Sequence, residues 1–216
     1  MMKKIFCILL IIAMVFTMAA CGKNTPQQVS DPVEEIMSPT QTLDAFLKAF
    51  KARDTEALNE YYEGEADELV ILEDLDEPAL QGLVDKLMEK LLDFDYTLSN
   101  EKIDGKNATV DVNFKTYDIG GIMSDIISNM LSDAAALAIS GLTQEELEAE
   151  INEIMTEKFE EYAEIAKKEK VYAVPVKLVM INGKWFVKDV STADDLMNAL
   201  SGGLTEFAKN LGDLFG

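Results

Sequence analysis

The side chains available for chemistry in this chain are carboxylates, tyrosines and two cysteines, because the sequence contains no histidine. Catalytic triads of the Ser-His-Asp type, Cys-His pairs and metal sites with histidine ligands are therefore excluded. A carboxyl group can still act as an acid when burial raises its pKa and a tyrosine lies beside it. Tyr61, Tyr62 and Tyr96 could supply that tyrosine. Their spacing selects no particular acid, so we expect no catalytic site and no cofactor.

The densest acidic stretch, residues 54–77, holds 11 carboxylates and no basic side chain. Calcium prefers clustered oxygen ligands, and the segment from Glu73 to Glu77 contains four carboxylates. The spacing is not that of an EF-hand loop, because Pro78 stands at the third ligand position and no glycine follows. We favour a solvated acidic loop, with calcium binding as the alternative, and assign no metal ligand.

The first 20 residues have the layout of a bacterial secretory signal. Two lysines precede an apolar run from Ile5 to Met18, and two alanines then precede Cys21. The apolar run has about 14 residues, fewer than the roughly 20 that span a bilayer. The tetrapeptide Met18-Ala19-Ala20-Cys21 resembles the lipobox of bacterial lipoproteins. The resemblance implies cleavage after residue 20 and a diacylglyceryl group on Cys21, whereas the alternative is an ordinary signal peptide.

Charge restricts the partners of the mature chain. Cleavage before Cys21 leaves 17 basic and 40 acidic side chains, a net charge of −23. Such a chain repels phosphate backbones, and Arg53 is the only arginine, so we expect no nucleic-acid partner. An acidic body also gains no attraction to anionic lipid, so the acyl chains on Cys21 would form the membrane contact. We expect a protein anchored on the extracytoplasmic face of the cell membrane, and the excess of lysine over arginine favours a Gram-positive source.

The elements that would position these residues begin after a polar tether, residues 21–37, which contains two prolines. Ser38 to Gln41 combines an N-cap serine, a proline at the first helical position and a glutamine suited to a capping box. Apolar residues then repeat at helical spacing: Leu43, Phe46, Leu47 and Phe50. Two shorter helical patterns start near Asp54 and Pro78.

Two pairs of β-strands are predicted further along the chain. Apolar and polar residues alternate in four segments, 96–103, 108–117, 171–181 and 184–190. Asp104-Gly105 joins the first pair and Asn182-Gly183 joins the second, and both dipeptides favour tight hairpin turns. Pro175 has no amide hydrogen, so we expect it at a sheet edge or a bulge.

Helical patterns lie between the hairpins and after them. The segment 119–170 predicts two helices that together form an insertion, the second of which opens with a Thr-x-x-Glu capping box at Thr143. The first helix carries Asp125 and Asp133, which would be costly inside a bilayer. A final apolar stripe predicts a C-terminal helix over residues 192–214, weakened by Gly202 and Gly203.

The segment from Ser38 to Tyr62, with its Pro-x-x-x-Leu-x-x-Phe-Leu-x-Ala-Phe run, and the segment from Val179 to Val187 resemble parts of a known family. It comprises small cystatin-like, or nuclear-transport-factor-like, domains of bacterial lipoproteins, a family without assigned function. The resemblance implies an α+β fold in which helices pack on a curved antiparallel sheet of about four strands and enclose a cone. We expect one such domain over residues 38–216.

These expectations favour a lipid-anchored envelope surface protein that acts as a non-catalytic binding or scaffolding module. The partner would be a small molecule or an envelope protein. One alternative is an interaction protein that acts through the helical insertion or the C-terminal helix, and another is an Asp/Tyr acid-base enzyme with a cone-shaped pocket. The candidate pocket residues are Tyr61, Tyr62, Tyr96 and Trp185, although a tryptophan in the position of Trp185 is more commonly a core or sheet-face aromatic.

Overall fold

The computed structural model describes residues 36–69, 81–138, 142–188, 190 and 195–215. The helices in these residues are α1 (Pro39–Ala52), α2 (Thr55–Tyr61), α3 (Gln81–Leu92), α4 (Ile119–Ala138), α5 (Gln144–Ile165), α6 (Asp195–Leu200) and α7 (Leu204–Phe215), with a 3-10 turn at Ala66–Leu69. The strands are β1 (Asp95–Asp104), β2 (Asn107–Thr116), β3 (Lys170–Ile181) and β4 (Lys184–Val187). Cys21, the signal and most of the tether lie outside the described residues, as does the part of the acidic stretch at 70–77.

The four strands form one antiparallel sheet in the order β1-β2-β3-β4. Each hairpin pairs neighbours along the chain, and α4 and α5 occupy the connection between β2 and β3. This arrangement confirms the predicted α+β fold with a helical insertion between two hairpins. The second insertion helix ends at Ile165, and Lys170 already begins β3.

The turn residues adopt the backbone conformations that their types predict. Asn182 and Gly183 have φ angles of 51° and 85°, which suit the mirror-image turn of a two-residue hairpin loop. The Met180 amide donates to the Lys106 carbonyl on the β2 side of β3. Because backbone amides alternate in direction along a strand, the amides of the odd-numbered residues of β3 point to the β4 side. Since β4 pairs with β3 only from Leu178 to Ile181, Pro175 lies on an edge, as predicted.

The main core lies between α1, α2, α6 and one face of the sheet. Its fully buried side chains include Leu43, Phe46 and Leu47 of α1 and, from the strands, Val110, Val112, Phe114, Val176 and Leu178. The rings of Phe46 and Tyr62 lie 5.8 Å apart and tilted, a favourable aromatic contact within this core. The side chains of α1 therefore occupy the space over the sheet in which the family resemblance places a cone.

A second apolar cluster joins the helices that follow. Its buried members are Leu83, Leu87 and Leu91 of α3, Ile119, Ile122 and Ile126 of α4, and Phe159 and Ala163 of α5. Lys86 of α3 also forms an ion pair with Glu160 of α5. The start of α5 is the predicted capping box, in which Thr143 Oγ1 accepts from the Glu146 amide and Glu146 accepts from the Thr143 amide. The insertion is thus a packed three-helix unit with α3.

The single C-terminal helix predicted over 192–214 is instead two helices, α6 and α7, separated by Ser201, Gly202 and Gly203. Both glycines have positive φ angles, 59° and 89°, which helical residues do not adopt. The Gly202 carbonyl accepts a 3.0 Å hydrogen bond from the Gly120 amide of α4, so a tertiary contact holds the break in place. Among the described helices, none combines the length and apolar content needed to cross a bilayer.

Candidate functional site

A cavity of about 890 Å³ enclosed by helices could hold a ligand. The helices α6 and α7 form one wall, α3 forms another, and the end of α1 with α2 and the 3-10 turn closes the site. Small-molecule sites in proteins typically measure about 300–1,000 Å³. The cavity is therefore large enough for a ligand of substantial size, and it lies beside the sheet core rather than within it.

Apolar side chains dominate the lining. They are Phe50, Leu58, Leu69, Met88, Leu91, Leu92, Met197, Leu200, Leu204, Phe207 and Ala208. Met197 and Leu200 are buried in the core on their other side, while Met88, Leu204 and Phe207 are half-buried. A ligand that covered these half-buried apolar side chains would gain about 25 cal/mol of binding free energy per Å² of apolar surface buried.

The polar residues inside the cavity already have hydrogen-bond partners within the wall. Asn198 Oδ1 accepts from Thr205 Oγ1 at 2.9 Å and from the Glu206 amide at 3.2 Å. Ser201 Oγ donates to the Asn198 carbonyl at 3.1 Å. These bonds stabilise the break between α6 and the start of α7. The polar atoms of the wall therefore support the structure of the cavity itself.

Four charged residues of the lining are exposed and mark its mouth. Two are basic and two acidic: Arg53, Lys209, Asp195 and Glu206. Arg53 terminates α1 in the left-handed conformation with a φ of 55°, and its amide donates back to the last turn of that helix. The charges at the mouth are therefore equal in number, without a bias towards either sign.

Two of the predicted pocket residues, Tyr62 and Trp185, lie in the sheet core. Each is 3% exposed. The Tyr62 hydroxyl accepts a 3.1 Å hydrogen bond from the Val190 amide, and Trp185 stands opposite Met180 in the β3–β4 ladder. Trp185 therefore occupies the core position that the sequence left open as its alternative.

The other two, Tyr61 and Tyr96, lie at the edges of that core and are half-buried. The Lys184 ammonium lies 5.3 Å from the centre of the Tyr61 ring and 5.6 Å from that of Phe186. Tyr96 packs beside Phe94, with 6.0 Å between the ring centres. None of the four lines the helix-enclosed cavity, so their role in a pocket stays a prediction.

Two Asp/Tyr pairs of the kind required for acid-base chemistry exist elsewhere. Tyr96 donates to Asp44 at 2.8 Å, and Tyr117 donates to Asp93 at 3.1 Å. A hydrogen bond from Lys48 and a second from Tyr96 hold the pKa of Asp44 below its usual range. A hydrogen bond from Lys168 does the same for the pKa of Asp93. Both carboxylates are thus stabilised in the ionised form, whereas an acid catalyst needs a raised pKa.

A smaller cavity of about 370 Å³ lies on the opposite side of α7, between α7, β3 and the start of α4. The Tyr172 hydroxyl beside it is buried and has no hydrogen-bond partner. Burial, with the nearby charges of Asp118 and Glu206, raises the pKa of Tyr172 to about 12. A Cβ atom added at Gly203 would lie 2.8 Å from this hydroxyl. The hydroxyl is therefore covered by the turn between α6 and α7.

Sequence reasoning did not find the helix-enclosed cavity. Its lining combines residues from α1, α2, the 3-10 turn, α3, α6 and α7, and these residues span 159 positions from Phe50 to Lys209. The available signal was the half-apolar pattern of the last helix. That pattern was correctly assigned as helical, although to one helix instead of two, but nothing local shows whether its apolar face meets a packed core or an open volume.

No protein-family model matches the chain, and no curated protein matches it. Among solved structures, the chain is similar to the crystal structure of a "putative lipoprotein (ycdA)" from Bacillus subtilis subsp. subtilis str. 168. The two chains are 17% identical and superpose with a TM-score of 0.49, over 74% of this chain and 55% of that one. This chain thus matches only about half the length of that protein. A likeness at this level assigns neither a family nor an activity.

Proposed function

We propose that this protein is a lipid-anchored binding module of the cell envelope that holds an apolar or amphipathic small molecule between α3, α6 and α7. The observation that carries the proposal is the cavity of about 890 Å³ with 11 apolar residues in its lining. Burial of apolar surface is the dominant favourable term in most association reactions, and this cavity offers such surface in a concave form.

The chemistry of the lining favours binding over catalysis. Its two carboxylates, Asp195 and Glu206, are exposed at the mouth, whereas an acid catalyst in this chain would need a buried carboxyl group. The buried hydroxyl of the lining, Ser201 Oγ, donates to a backbone carbonyl and has no base beside it among the described lining residues. We therefore propose a non-catalytic role.

Attachment to the membrane rests on the sequence around Cys21. The lipobox-like tetrapeptide that ends at Cys21 implies a diacylglyceryl anchor, and two acyl chains hold a protein at a bilayer far more firmly than one. We further propose that the sheet and α1 belong to the cystatin-like class, and the packing of α1 on one face of a four-stranded antiparallel sheet supports this proposal.

The alternative of an interaction protein acting through the last helix has less support. Leu204, Phe207 and Leu211 form the apolar stripe of α7, and each is half-buried rather than exposed. Leu204 and Phe207 also line the cavity. Two of the three stripe residues therefore belong to the proposed ligand site, and Leu211 lines the smaller cavity.

Native mass spectrometry of the protein purified from its own cells tests the proposal. We expect a population whose mass exceeds that of the acylated chain by the mass of one bound molecule. Denaturing the same preparation in organic solvent should release this molecule, which provides the control for covalent modification. A preparation that shows only the acylated chain under native conditions contradicts the proposal.

A further inference from the structure

We infer that the cavity takes a neutral lipid with an aliphatic chain, held by contacts along the chain rather than through a charged head group. This inference rests on the proposed function, because it specifies the ligand of the same site. It follows from three properties of the cavity: the types of its apolar side chains, the hydrogen bonding of its polar atoms, and the balance of its charges.

The apolar lining is suited to a flexible hydrocarbon chain. Eight of its 11 apolar residues are leucine or methionine: Leu58, Leu69, Met88, Leu91, Leu92, Met197, Leu200 and Leu204. Leucine and methionine pack against irregular aliphatic shapes, and methionine in particular adapts through its three rotatable bonds. The aromatic rings of the lining, Phe50 and Phe207, are both half-buried and contribute apolar area without a polar handle.

The polar side chains described inside the cavity already have hydrogen-bond partners within the protein. Asn198, Ser201 and Thr205 are bonded to one another across the break between α6 and α7. Of all the buried side-chain N and O atoms in the described part of the chain, the one without a partner is the Tyr172 hydroxyl. Tyr172 lines the smaller cavity on the other side of α7. A polar head group inside the large cavity would therefore lose its hydration without gaining hydrogen bonds, which is unfavourable.

The charges of the protein favour a neutral lipid over an anionic one. The mouth carries Arg53 and Lys209 against Asp195 and Glu206, so its local charges cancel in number. The whole chain has a net charge of −21, and such a field repels anions at long range. An anionic head group at the mouth would thus find no excess of positive charge there and would be repelled by the negative net charge of the chain. An uncharged head group would be neither attracted nor repelled by these charges.

A pair of photoreactive lipids tests the inference on the intact, anchored protein in phosphatidylcholine nanodiscs. One probe is a monoacylglycerol with a diazirine in its acyl chain, and the other is the alkyl sulfate with the same chain and diazirine. After illumination, mass spectrometry of peptides locates the labelled residues. We expect the monoacylglycerol to label peptides of α3 and α6 about tenfold more than the alkyl sulfate does, a difference of about 1.4 kcal/mol.

Two methionines provide a matched pair of variants. Met88 lies on α3 and lines the cavity, whereas Met123 lies on α4 and does not, and both are half-buried against the same apolar cluster. Met88→Trp should fill part of the cavity and reduce labelling by the monoacylglycerol several-fold, and Met123→Trp should leave it unchanged. A second measurement on the unaltered protein, competition by excess unlabelled monoolein, should abolish the labelling even if Met88→Trp folds poorly.

The outcomes distinguish failure of the neutral-lipid inference from failure of the proposed binding function. Equal labelling of the cavity by both probes, or stronger labelling by the alkyl sulfate, overturns the neutral-lipid inference and leaves the binding module in place. Labelling confined to peptides that do not line the cavity also overturns the neutral-lipid inference, whereas the binding module itself is contradicted by a native mass spectrum that shows no retained molecule. Labelling of the cavity that monoolein cannot displace also overturns the inference, since it indicates non-specific contact.

Discussion

Tyr96 and Asp44 join the first strand of the sheet to the helix that covers it, through a 2.8 Å hydrogen bond from the tyrosine hydroxyl to Asp44 Oδ1. Lys48 approaches the second carboxylate oxygen at 2.6 Å from the next turn of α1. The two donors hold the pKa of Asp44 low, and burial together with the hydrogen bond to Asp44 raises the pKa of Tyr96. This pair is a structural link between α1 and β1 rather than an acid-base couple.

Replacement of Tyr96 by phenylalanine should keep the ring beside Phe94 and remove the donor to Asp44. We expect the free energy of unfolding at pH 7 to fall by about 1 kcal/mol, the usual contribution of one such bond. Because the folded pKa of Asp44 is lowered, its stabilisation is present above the unfolded pKa and is lost as the pH falls through the folded value. The difference between the two proteins in urea unfolding should therefore shrink from pH 7 towards about pH 3.

The same substitution in an Asp44→Asn background provides the control, because the charge-assisted bond is absent there. An effect of equal size and equal pH dependence in that background would show that Tyr96 does not act through Asp44.

Replacement by alanine at two glycine positions should change the free energy of unfolding in opposite directions. A Cβ atom at Gly120 would collide with the backbone carbonyl of Gly203, whereas a Cβ atom at Gly82 in α3 meets nothing within 4 Å. Gly120→Ala should lower the free energy of unfolding by about 1–3 kcal/mol, since the backbone must shift to make room. Gly82→Ala should raise it by about 0.5–1 kcal/mol, because alanine loses less conformational freedom in a helix.

Thermal unfolding followed by circular dichroism measures both variants under identical conditions. A stabilising Gly120→Ala would mean that α4 and the turn between α6 and α7 are not in contact as described.

The core position of Phe46 should be among the most sensitive in the chain. Its side chain is fully buried between α1 and the sheet and packs against Tyr62. We expect Phe46→Ala to cost about 3–5 kcal/mol, as large-to-small changes of buried aromatic residues do. Phe186, which is half-buried on β4 and flanked by Lys184, is the matched control. Chemical denaturation that finds Phe186→Ala equally costly would contradict the burial of Phe46.

Replacement of Cys21 by alanine tests the anchor independently of the cavity. Without the sulfur atom no diacylglyceryl group can be attached, and the acidic chain has no electrostatic attraction to anionic lipid. We expect the variant to lose the acyl mass that the unaltered protein carries on Cys21. Fractionation of the cells should also move the protein out of the carbonate-washed membrane pellet or leave it as an uncleaved precursor. A variant that is cleaved after residue 20 and stays in the washed pellet would exclude lipid attachment as the anchor.

The local features of the fold could be predicted because the interactions that decide them span only a few residues. Ser38 Oγ accepts from the Gln41 amide three positions away, and Thr143 and Glu146 repeat that arrangement at the start of α5. The Asn182-Gly183 turn depends on the backbone freedom of two residues. The edge position of Pro175 follows from its missing amide hydrogen. Together with the alternating strands, these signals determined the α+β class and the order of the elements.

The tertiary structure decided where the apolar faces meet. The four aromatic residues predicted to line a pocket lie in or beside the sheet core, where Tyr62 and Trp185 are buried and Tyr62 packs against Phe46 of α1. The break between α6 and α7 is held by Gly120, some 80 positions earlier in the chain. The cavity exists because six separate segments of the described chain enclose a volume that none of their side chains fills. Helical periodicity shows that a residue is apolar on one face, but whether that face meets another side chain or a void depends on distances between segments, which a one-dimensional pattern does not contain.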